Sequence, residues 1–271
     1  MSESIISCPV CGRGLGKFEN CLKCENGHSF DLAKEGYVNL LSGAHKQGEL
    51  IGDNKTMASS RRDFLNKGYF SSLSKAVLNE LQLTEKENPN VLDICCGEGY
   101  YSNYITQRYN CRIYGFDISK NMIRLAAKRK TNAEFFVANL SHIPVFDSSV
   151  DFAFHLFAPF HAGEFARVLK DDGILVTAYP GENHLWELKE AIYDVPYKND
   201  EKMPEHGTFE LLKTVKVKEK IFLDNNADII SLFKMTPYYY HTSKEGIERA
   251  ERLEKLETQL EFVLAVFRKK I

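Results

Sequence analysis

The chain lacks both a long hydrophobic run and a strong excess of charge of either sign. No apolar run reaches the ~20 residues needed to cross a bilayer. The first residues, Met-Ser-Glu-Ser-Ile-Ile, do not form a basic region followed by an apolar stretch. With 35 basic and 37 acidic residues the net charge is -2, which gives no general attraction to nucleic acid. We therefore expect a cytoplasmic protein without membrane or DNA contacts, and any RNA contact must be local.

Cysteine is scarce except at the beginning of the chain, where four of the seven cysteines lie within the first 24 positions. An odd number of cysteines, most of them crowded into one short segment, favours metal binding in a reducing compartment over a secreted disulfide framework. The rest of the composition, 44% hydrophobic and 27% charged, is typical of a globular protein with a real core. The length leaves room for one module of ~40 residues and one catalytic domain of ~200.

The first cysteines have the spacing of a tetrahedral zinc site. Cys8-Pro-Val-Cys11 places two thiolates on a tight turn, and Cys21, Cys24 and His28 offer the second half. A four-thiolate site would use Cys21 and Cys24, whereas a site with three thiolates and one imidazole would use Cys24 and His28. We favour the second set, since Gly27 lets the backbone curl back toward the metal. Four protein ligands leave no open position, so the metal is not expected to be catalytic.

The predicted organisation has three parts, a zinc-binding RNA-recognition module over 1–41, a linker and lid segment over 42–70, and a methyltransferase domain over 71–271. Residues 42–58 contain three glycines and many polar residues, which predict a flexible connection. The segment of ~30 residues that carries the ligands cannot bury enough apolar surface to fold alone, so the metal would supply folding free energy. This zinc-binding module, called the zinc head below, could be a purely structural clip or could recognise the substrate, and both hypotheses stay open.

Beyond residue 61 short apolar segments alternate with amphipathic helical ones, which predicts an α/β fold with a parallel sheet covered on both faces. The first strand delivers Asp93 and the loop Cys95-Cys-Gly-Glu-Gly99, where Gly97 and Gly99 let the backbone approach a ligand closely. A third glycine three positions later is missing, so a dinucleotide loop is not indicated. We expect seven strands, including segments at 91–94, 112–117, 134–138, 150–156, 173–179 and 257–268.

Two polar residues follow the next strands of the predicted sheet. Asp117 ends the second strand, where its carboxylate can accept hydrogen bonds from both hydroxyls of a ribose. Asn139 follows the third strand, where it could contact an adenine edge or simply stabilise a loop. Together with the loop at 95–99 these residues favour a nucleoside-containing cofactor and resemble the S-adenosylmethionine site of a Rossmann-like class I methyltransferase.

Four segments carry a more specific resemblance, namely Cys8-Pro-Val-Cys11, the stretch from Cys24 to Leu41, Leu92-Asp-Ile-Cys-Cys-Gly-Glu-Gly-Tyr-Tyr101 and Pro180-Gly-x2-His184-Leu. Over nearly the whole chain they resemble the bacterial 23S ribosomal RNA guanine-N1 methyltransferases of the RlmA type. The resemblance implies a zinc head, an S-adenosylmethionine site and methylation of one guanine in a hairpin loop of large-subunit ribosomal RNA. The family's zinc ligands fall on Cys8, Cys11, Cys24 and His28, which leaves Cys21 extra.

The resemblance also assigns cofactor contacts. Tyr69 follows the linker where a lid would cover methionine, and His184 follows the fifth strand at its active edge. The family's cofactor loop begins with glycine where this chain has Cys95, so we expect adjusted contacts and retained binding. The predicted cofactor residues are Tyr69, Asp93, Cys95, Gly97, Glu98, Gly99, Asp117, Ile118, Asn139, Leu140 and His184.

Methyl transfer to guanine N1 requires in-line placement of N1 and removal of its proton. His155 and His161 are candidate bases, although a structural role is the commoner one for such histidines. Phe157 and Phe160 could sandwich a base that has left its stack. No base is identified, and the candidate catalytic residues are Phe157, Pro159, Phe160 and His184.

Local RNA contacts could come from three basic clusters, and a homodimer could grip a hairpin with two heads. Two other functions remain possible, a small-molecule methyltransferase with a structural zinc clip and a non-catalytic zinc-dependent RNA-binding protein. The basic clusters are Arg61 and Arg62, then Lys120, Arg124, Lys128, Arg129 and Lys130, then Lys213, Lys216, Lys218 and Lys220.

Overall fold

A computed structural model of the chain describes residues 4–41 and 55–270. None of the helices in these two ranges is long and apolar enough to span a membrane. The strands are β1 Gly16–Phe18, β2 Cys21–Lys23, β3 Ser29–Asp31, β4 Val38–Asn39, β5 Asn90–Ile94, β6 Arg112–Asp117, β7 Glu134–Val137, β8 Val150–Leu156, β9 Leu169–Pro180, β10 Phe209–Leu223 and β11 Leu256–Lys269. The helices are α1 Lys55–Asn66, α2 Ser71–Gln82, α3 Tyr100–Thr106, α4 Lys120–Ala127, α5 Ala162–Val168, α6 Trp186–Ile192, α7 Asn226–Lys234, α8 Tyr238–His241 and α9 Lys244–Arg252.

The main sheet of the described residues has eight strands in the order β10-β11-β9-β8-β5-β6-β7-β4. Strands β9, β8, β5, β6, β7 and β4 run parallel, whereas β11 and β10 are antiparallel to their neighbours. Every residue of β5 is buried, as a central parallel strand covered on both faces requires. The predicted α/β class is confirmed, and the strand order reverses beside β5, which places a ligand crevice there.

Six predicted strands are present, but sequence reasoning did not place β10 at Phe209–Leu223. This strand pairs along its length with β11, yet most of its residues are exposed. Its apolar residues Val215, Val217 and Ile221 alternate with lysines, but the strand lies at the edge of the sheet and buries few side chains, so its sequence is mostly charged. Strand β9 also begins earlier than predicted, at Leu169.

The zinc head packs directly on the main sheet. Its three short strands form a separate sheet in the order β1-β2-β3, and β4 then joins the edge of the main sheet beside β7. Ile6 and Leu40 of the head are buried in one hydrophobic cluster with Leu92 and Phe116 of the central strands. The predicted connection over 42–58 lies outside the described residues as far as 54, and helix α1 begins at Lys55.

Candidate active site and metal centre

A cavity of about 700 Å³ opens at the carboxyl ends of β5, β6, β8 and β9. Helix α1 and the turn after α7 contribute residues to the same cavity. We call one side the cofactor wall, which consists of Asp93, Cys95, Gly97, Asp117 and Ile118. We call the other side the target wall, which consists of His155, Phe157, Pro159, Phe160 and His184.

Asp93 of the cofactor wall ties strand β5 to helix α3. Its Oδ2 accepts a hydrogen bond of 2.6 Å from the hydroxyl of Ser102, and its side chain is 2% exposed. Burial raises the pKa of Asp93 to about 8. A cationic ligand in the cavity would favour the carboxylate form, so this position suits a positively charged group.

The cofactor loop passes through the left-handed region of backbone space at three residues. The φ angles are 57° at Cys95, 55° at Gly97 and 77° at Gly99. A side chain at Gly97 would meet nothing within 4 Å, so this glycine leaves the cavity open, whereas at Gly99 it would lie 2.9 Å from Ala126. Cys95 adopts a conformation that strongly favours glycine, and burial raises the pKa of its thiol to about 12. Its thiol is therefore a neutral contact group.

Asp117 shapes the loop and presents a carboxylate to the cavity. Its Oδ2 accepts from the backbone N–H of Gly97 at 3.0 Å, and its Oδ1 accepts from that of Ser119 at 2.8 Å. Ser119 in turn caps helix α4 by accepting from the N–H of Met122. A carboxylate, a glycine-lined opening and the apolar Ile118 and Met122 lie together. This donor and acceptor set fits the ribose and adenine of S-adenosylmethionine.

Four predicted cofactor residues do not line the cavity, namely Tyr69, Gly99, Asn139 and Leu140. The hydroxyl of Tyr69 donates to Asp228 at 2.9 Å, which also pairs with Lys67, so the ring is directed toward α7. Asn139 accepts from the N–H of Ser141 at 3.0 Å and so stabilises a turn. Glu98 borders the cavity, but its buried carboxylate pairs with Arg129.

The aromatic residues of the target wall differ in exposure. Phe157 has a φ of 60°, is 40% exposed and packs against Phe262 with a centroid distance of 5.6 Å. Phe160 instead packs on Phe165 at 5.0 Å and on Phe209 and Phe267 of β10 and β11, so it supports the loop. Phe157 is therefore the better placed of the two to stack on a base.

Neither histidine considered as a base has a free acceptor in the cavity. His155 donates from Nε2 to the carbonyl of Pro159 at 2.9 Å and accepts at Nδ1 from the hydroxyl of Thr177 at 3.1 Å. Burial lowers the pKa of His155 to about 4. His161 does not line the cavity, and its Nδ1 accepts from the N–H of Glu164 at the start of α5. The hydrogen bonds of both histidines favour a structural role.

Sequence reasoning did not predict the part of the cavity that is lined by α1, the segment 202–204 and the residues after α7. Arg61 of α1 lines it and donates to the carbonyl of Met235 at 3.3 Å, which joins α1 to the turn after α7. Tyr238 belongs to the aromatic run Tyr238-Tyr-Tyr240, which is visible in the sequence. Lys202 and Pro204 lie in an irregular segment whose sequence gives no indication of a site.

The basic cluster on β10 is neutralised by carboxylates. Each of its lysines forms an ion pair at 2.8 to 3.0 Å, so the cluster offers little free positive charge to a polyanion. The pairs are Lys213 with Glu80, Lys216 with Glu201, Lys218 with Glu261 and Lys220 with Glu257.

The metal centre is formed by Cys8, Cys11, Cys24 and His28, whose ligand atoms all lie within 4.8 Å of one another. The Sγ atoms of Cys11 and Cys24 are 3.7 Å apart, and Nδ1 of His28 is 3.5 Å from Sγ of Cys8. Tetrahedral zinc with Zn–S bonds of ~2.3 Å needs an S–S separation of about 3.8 Å, so the set fits zinc. Cys21 lies outside the four ligands and contacts the carbonyl of Phe18 at 3.2 Å.

The sheet order, the glycine-lined loop and Asp117 define a class I methyltransferase, here joined to a zinc ribbon. Family models agree, since residues 91–173 match a methyltransferase domain and residues 6–49 match the N-terminal zinc ribbon of RlmA. Among solved structures, YcgJ of Bacillus subtilis is similar over 73% of this chain and 99% of its own, at 18% identity and a TM-score of 0.48.

Two curated relatives extend over nearly the whole chain. A Streptomyces fradiae protein named 23S rRNA (guanine(748)-N(1))-methyltransferase is 28% identical over 96% of this chain and 94% of its own. A Bacillus subtilis protein with the provisional name 23S rRNA (guanine-N(1)-)-methyltransferase is 30% identical over 90% of both chains. This chain belongs to the family of 23S rRNA guanine-N1 methyltransferases.

Proposed function

We propose that this protein transfers a methyl group from S-adenosylmethionine to N1 of one guanine in a hairpin loop of 23S ribosomal RNA. The observation that carries the proposal is the division of one cavity into a polar cofactor wall and an aromatic target wall. The names of the full-length relatives support the substrate.

S-adenosylmethionine, when bound, supplies a methyl group on a positively charged sulfur. Asp117 would hold the ribose, Gly97 leaves the approach open, and Ile118 with Met122 would cover the adenine. Tyr69, Asn139 and Leu140 would act only indirectly, because their side chains do not line the cavity. The proposed cofactor residues are therefore Asp93, Cys95, Gly97, Asp117 and Ile118.

The target guanine must leave its base stack to enter this cavity. Phe157 would stack on its face, and Pro159 would hold the edge of the loop. His155 keeps that loop in place through its bond to the carbonyl of Pro159. With both nitrogens of His155 engaged, water is the proposed acceptor of the guanine proton.

Labelled cofactor incubated with 23S ribosomal RNA that lacks the modification tests this function. The proposal predicts label in 1-methylguanosine at one position of a hairpin loop. Label on another atom, or transfer to small acids in preference to RNA, would refute it and favour a small-molecule methyltransferase. A protein that binds the RNA but not S-adenosylmethionine in calorimetry would favour the non-catalytic alternative.

We also propose that the zinc head, residues 1–41, contributes to RNA recognition beside the linker and lid at 42–70 and the catalytic domain at 71–271. Cys24→Ser should release zinc and weaken RNA binding at least 10-fold, with cofactor affinity within 3-fold. Cys21→Ser removes the cysteine outside the cluster and should retain both metal and RNA affinity. RNA affinity that persists after complete zinc loss would make the head a structural clip.

A cytoplasmic location and a homodimer are further parts of the proposal. None of the seven cysteines forms a disulfide, which suits a reducing compartment. A dimer would allow two heads to contact one hairpin. Sedimentation with and without RNA tests it, and a monomer under both conditions would exclude it.

A further inference from the structure

Helix α4 carries a row of positive charge on its exposed side. Lys120, Arg124 and Lys128 are spaced four residues apart, so their side chains project from one side of the helix, and all three are exposed. With a rise of about 1.5 Å per residue the row spans ~12 Å, a length over which a nucleic acid strand carries several phosphates. We call this row the α4 stripe.

The α4 stripe differs from the other basic clusters because its charge is not neutralised. In the described part of the chain none of its three side chains forms an ion pair with a carboxylate. The lysines of β10 are all paired, Arg129 at the end of α4 pairs with Glu98, and Arg62 pairs with Asp63. The α4 stripe therefore offers a polyanion the free positive charge that the other clusters lack.

Both ends of helix α4 are fixed to the cofactor wall. Asp117 accepts from the N–H of Ser119, which caps the first turn of the helix. Lys120 follows directly, two residues after Ile118, which lines the cavity. At the other end the guanidinium of Arg129 donates to the carbonyl of Glu98 in the cofactor loop at 2.8 Å. The α4 stripe is therefore held in a fixed position beside the cofactor wall.

The zinc head packs against the same helix. Tyr37 is 4% exposed and lies in one hydrophobic cluster with Ile123 and Ala126 of α4. Burial raises the pKa of Tyr37, and Glu35 adds to this, whereas the charge of Arg124 opposes it. Arg124 of the α4 stripe therefore lies close to the surface of the head.

The turn of the zinc head that leads to Tyr37 adds another free lysine. The N–H groups of Ala33 and Gly36 close this turn, donating to the carbonyls of Tyr37 and Ala33 at 2.8 Å. Lys34 in the turn is exposed and, among the residues that the structure describes, has no carboxylate partner, whereas Glu35 is half-buried. Free positive charge therefore extends from the head onto the helix that borders the cofactor wall.

We propose, on the basis of the proposed function, that Lys34 and the α4 stripe bind phosphates of the 23S ribosomal RNA strand that leads to the target guanine. Phosphate contacts set the orientation of a nucleic acid without reading its sequence. A row of cations tied to the cofactor loop fixes the RNA backbone relative to the methyl donor. The zinc head and the catalytic domain then hold one strand together, through the helix on which they meet.

Replacement of two cations of the α4 stripe tests this surface. Lys120→Gln/Arg124→Gln should weaken binding of the target hairpin about 10-fold at physiological salt, because two phosphate contacts are lost. The slope of log Kd against log salt should fall by about 1.5. The control Lys216→Gln/Lys220→Gln makes the same change in net charge on β10, where both lysines have carboxylate partners. Its affinity for the hairpin should stay within 3-fold of wild type.

Steady-state kinetics provide a readout that damage to the cofactor site would move differently. The side chains of the α4 stripe do not line the cavity. KM for the RNA should therefore rise about 10-fold, as the affinity falls, whereas kcat and the Kd of S-adenosylmethionine stay within 3-fold of wild type. Should the double variant lose cofactor binding, Lys34→Gln and Lys128→Gln decide in its place, each with a salt slope lower by about 0.7.

The outcomes distinguish the inference from the function on which it rests. An unchanged salt slope in a cofactor-binding α4 variant, or an equal loss of affinity in the β10 control, would overturn the phosphate surface while 1-methylguanosine still forms. An unchanged slope in Lys34→Gln would overturn the part assigned to the zinc head. Absence of 1-methylguanosine with the wild-type protein would instead refute the proposed function.

Discussion

The two walls of the cavity are built by the same sheet from opposite kinds of side chain. The cofactor wall holds two carboxylates and a loop with three positive φ angles, whereas the target wall holds four aromatic or imidazole rings that pack against other rings. Hydrogen bonds from Gly97 and Ser119 shape the first, and ring contacts around Phe262 shape the second. A charged, hydroxyl-rich ligand suits one wall and a flat base suits the other.

The largest expected effect is that of Asp117→Ala, which should impair the cofactor wall and leave the target wall functional. Asp117→Ala removes both ribose acceptors and the bonds that shape the loop, so kcat/KM for the cofactor should fall about 1000-fold. RNA affinity without cofactor should change less than 3-fold, as measured by filter binding. Asp171→Ala, at an exposed carboxylate in the first part of β9, is the control and should retain activity. Equal loss of RNA affinity would mean that the walls are not separate.

The next effect concerns acid stability of the target wall. The pKa of His184 is lowered to about 3 in the folded protein, so below pH 6.5 the unfolded chain binds more protons and stability falls as pH falls. In His184→Gln the loss between pH 7 and pH 4 should be smaller by about 3 kcal/mol. Urea unfolding at both pH values measures it. The same loss in both proteins would show that the buried ring is not held neutral.

Phe157→Ala should affect only the target wall. Removing a stacking ring costs ~1–3 kcal/mol per base, so RNA binding should weaken at least about 5-fold. Calorimetry with S-adenosylmethionine should give an unchanged Kd. Phe222→Ala removes another exposed ring, from β10, which is 56% exposed against 40% for Phe157, and serves as the control. A similar loss in both variants would place the effect outside the cavity.

The smallest expected effect concerns Cys95 of the cofactor wall. At an ordinary buried position glycine is less stable than alanine, but a φ of 57° reverses the order. Cys95→Gly should therefore unfold with a free energy about 1 kcal/mol higher than Cys95→Ala. Alanine as the more stable replacement in urea titrations would show that the strained loop is not the deciding factor.

The two walls also differ in what the sequence could predict. Asp93, Gly97 and Asp117 stand in local patterns next to strands, so their convergence follows from parallel-sheet geometry. The tautomer of His184 depends on the N–H of Glu261, 77 residues away, which no local pattern encodes. The same holds for Arg61 and Met235, which line the cavity and are joined by a hydrogen bond across 174 residues of sequence.

The zinc head shows a similar division. Spacing indicated a metal site, and resemblance together with Gly27 favoured the ligand set that the structure brings together. The docking of Ile6 and Leu40 on the main sheet was not predictable, because short apolar segments do not reveal their partner. Strand β10 was missed because its many lysines obscure a narrow apolar face, formed by Val215, Val217 and Ile221, that packs on the core.

Simultaneous binding of the two ligands tests the central claim most directly. Calorimetric titration of the target hairpin into protein saturated with S-adenosylhomocysteine should give an RNA Kd within 3-fold of that for the free protein, and Phe157→Ala should weaken it. Mutual exclusion of hairpin and cofactor product would contradict the account, because both ligands would then occupy one wall.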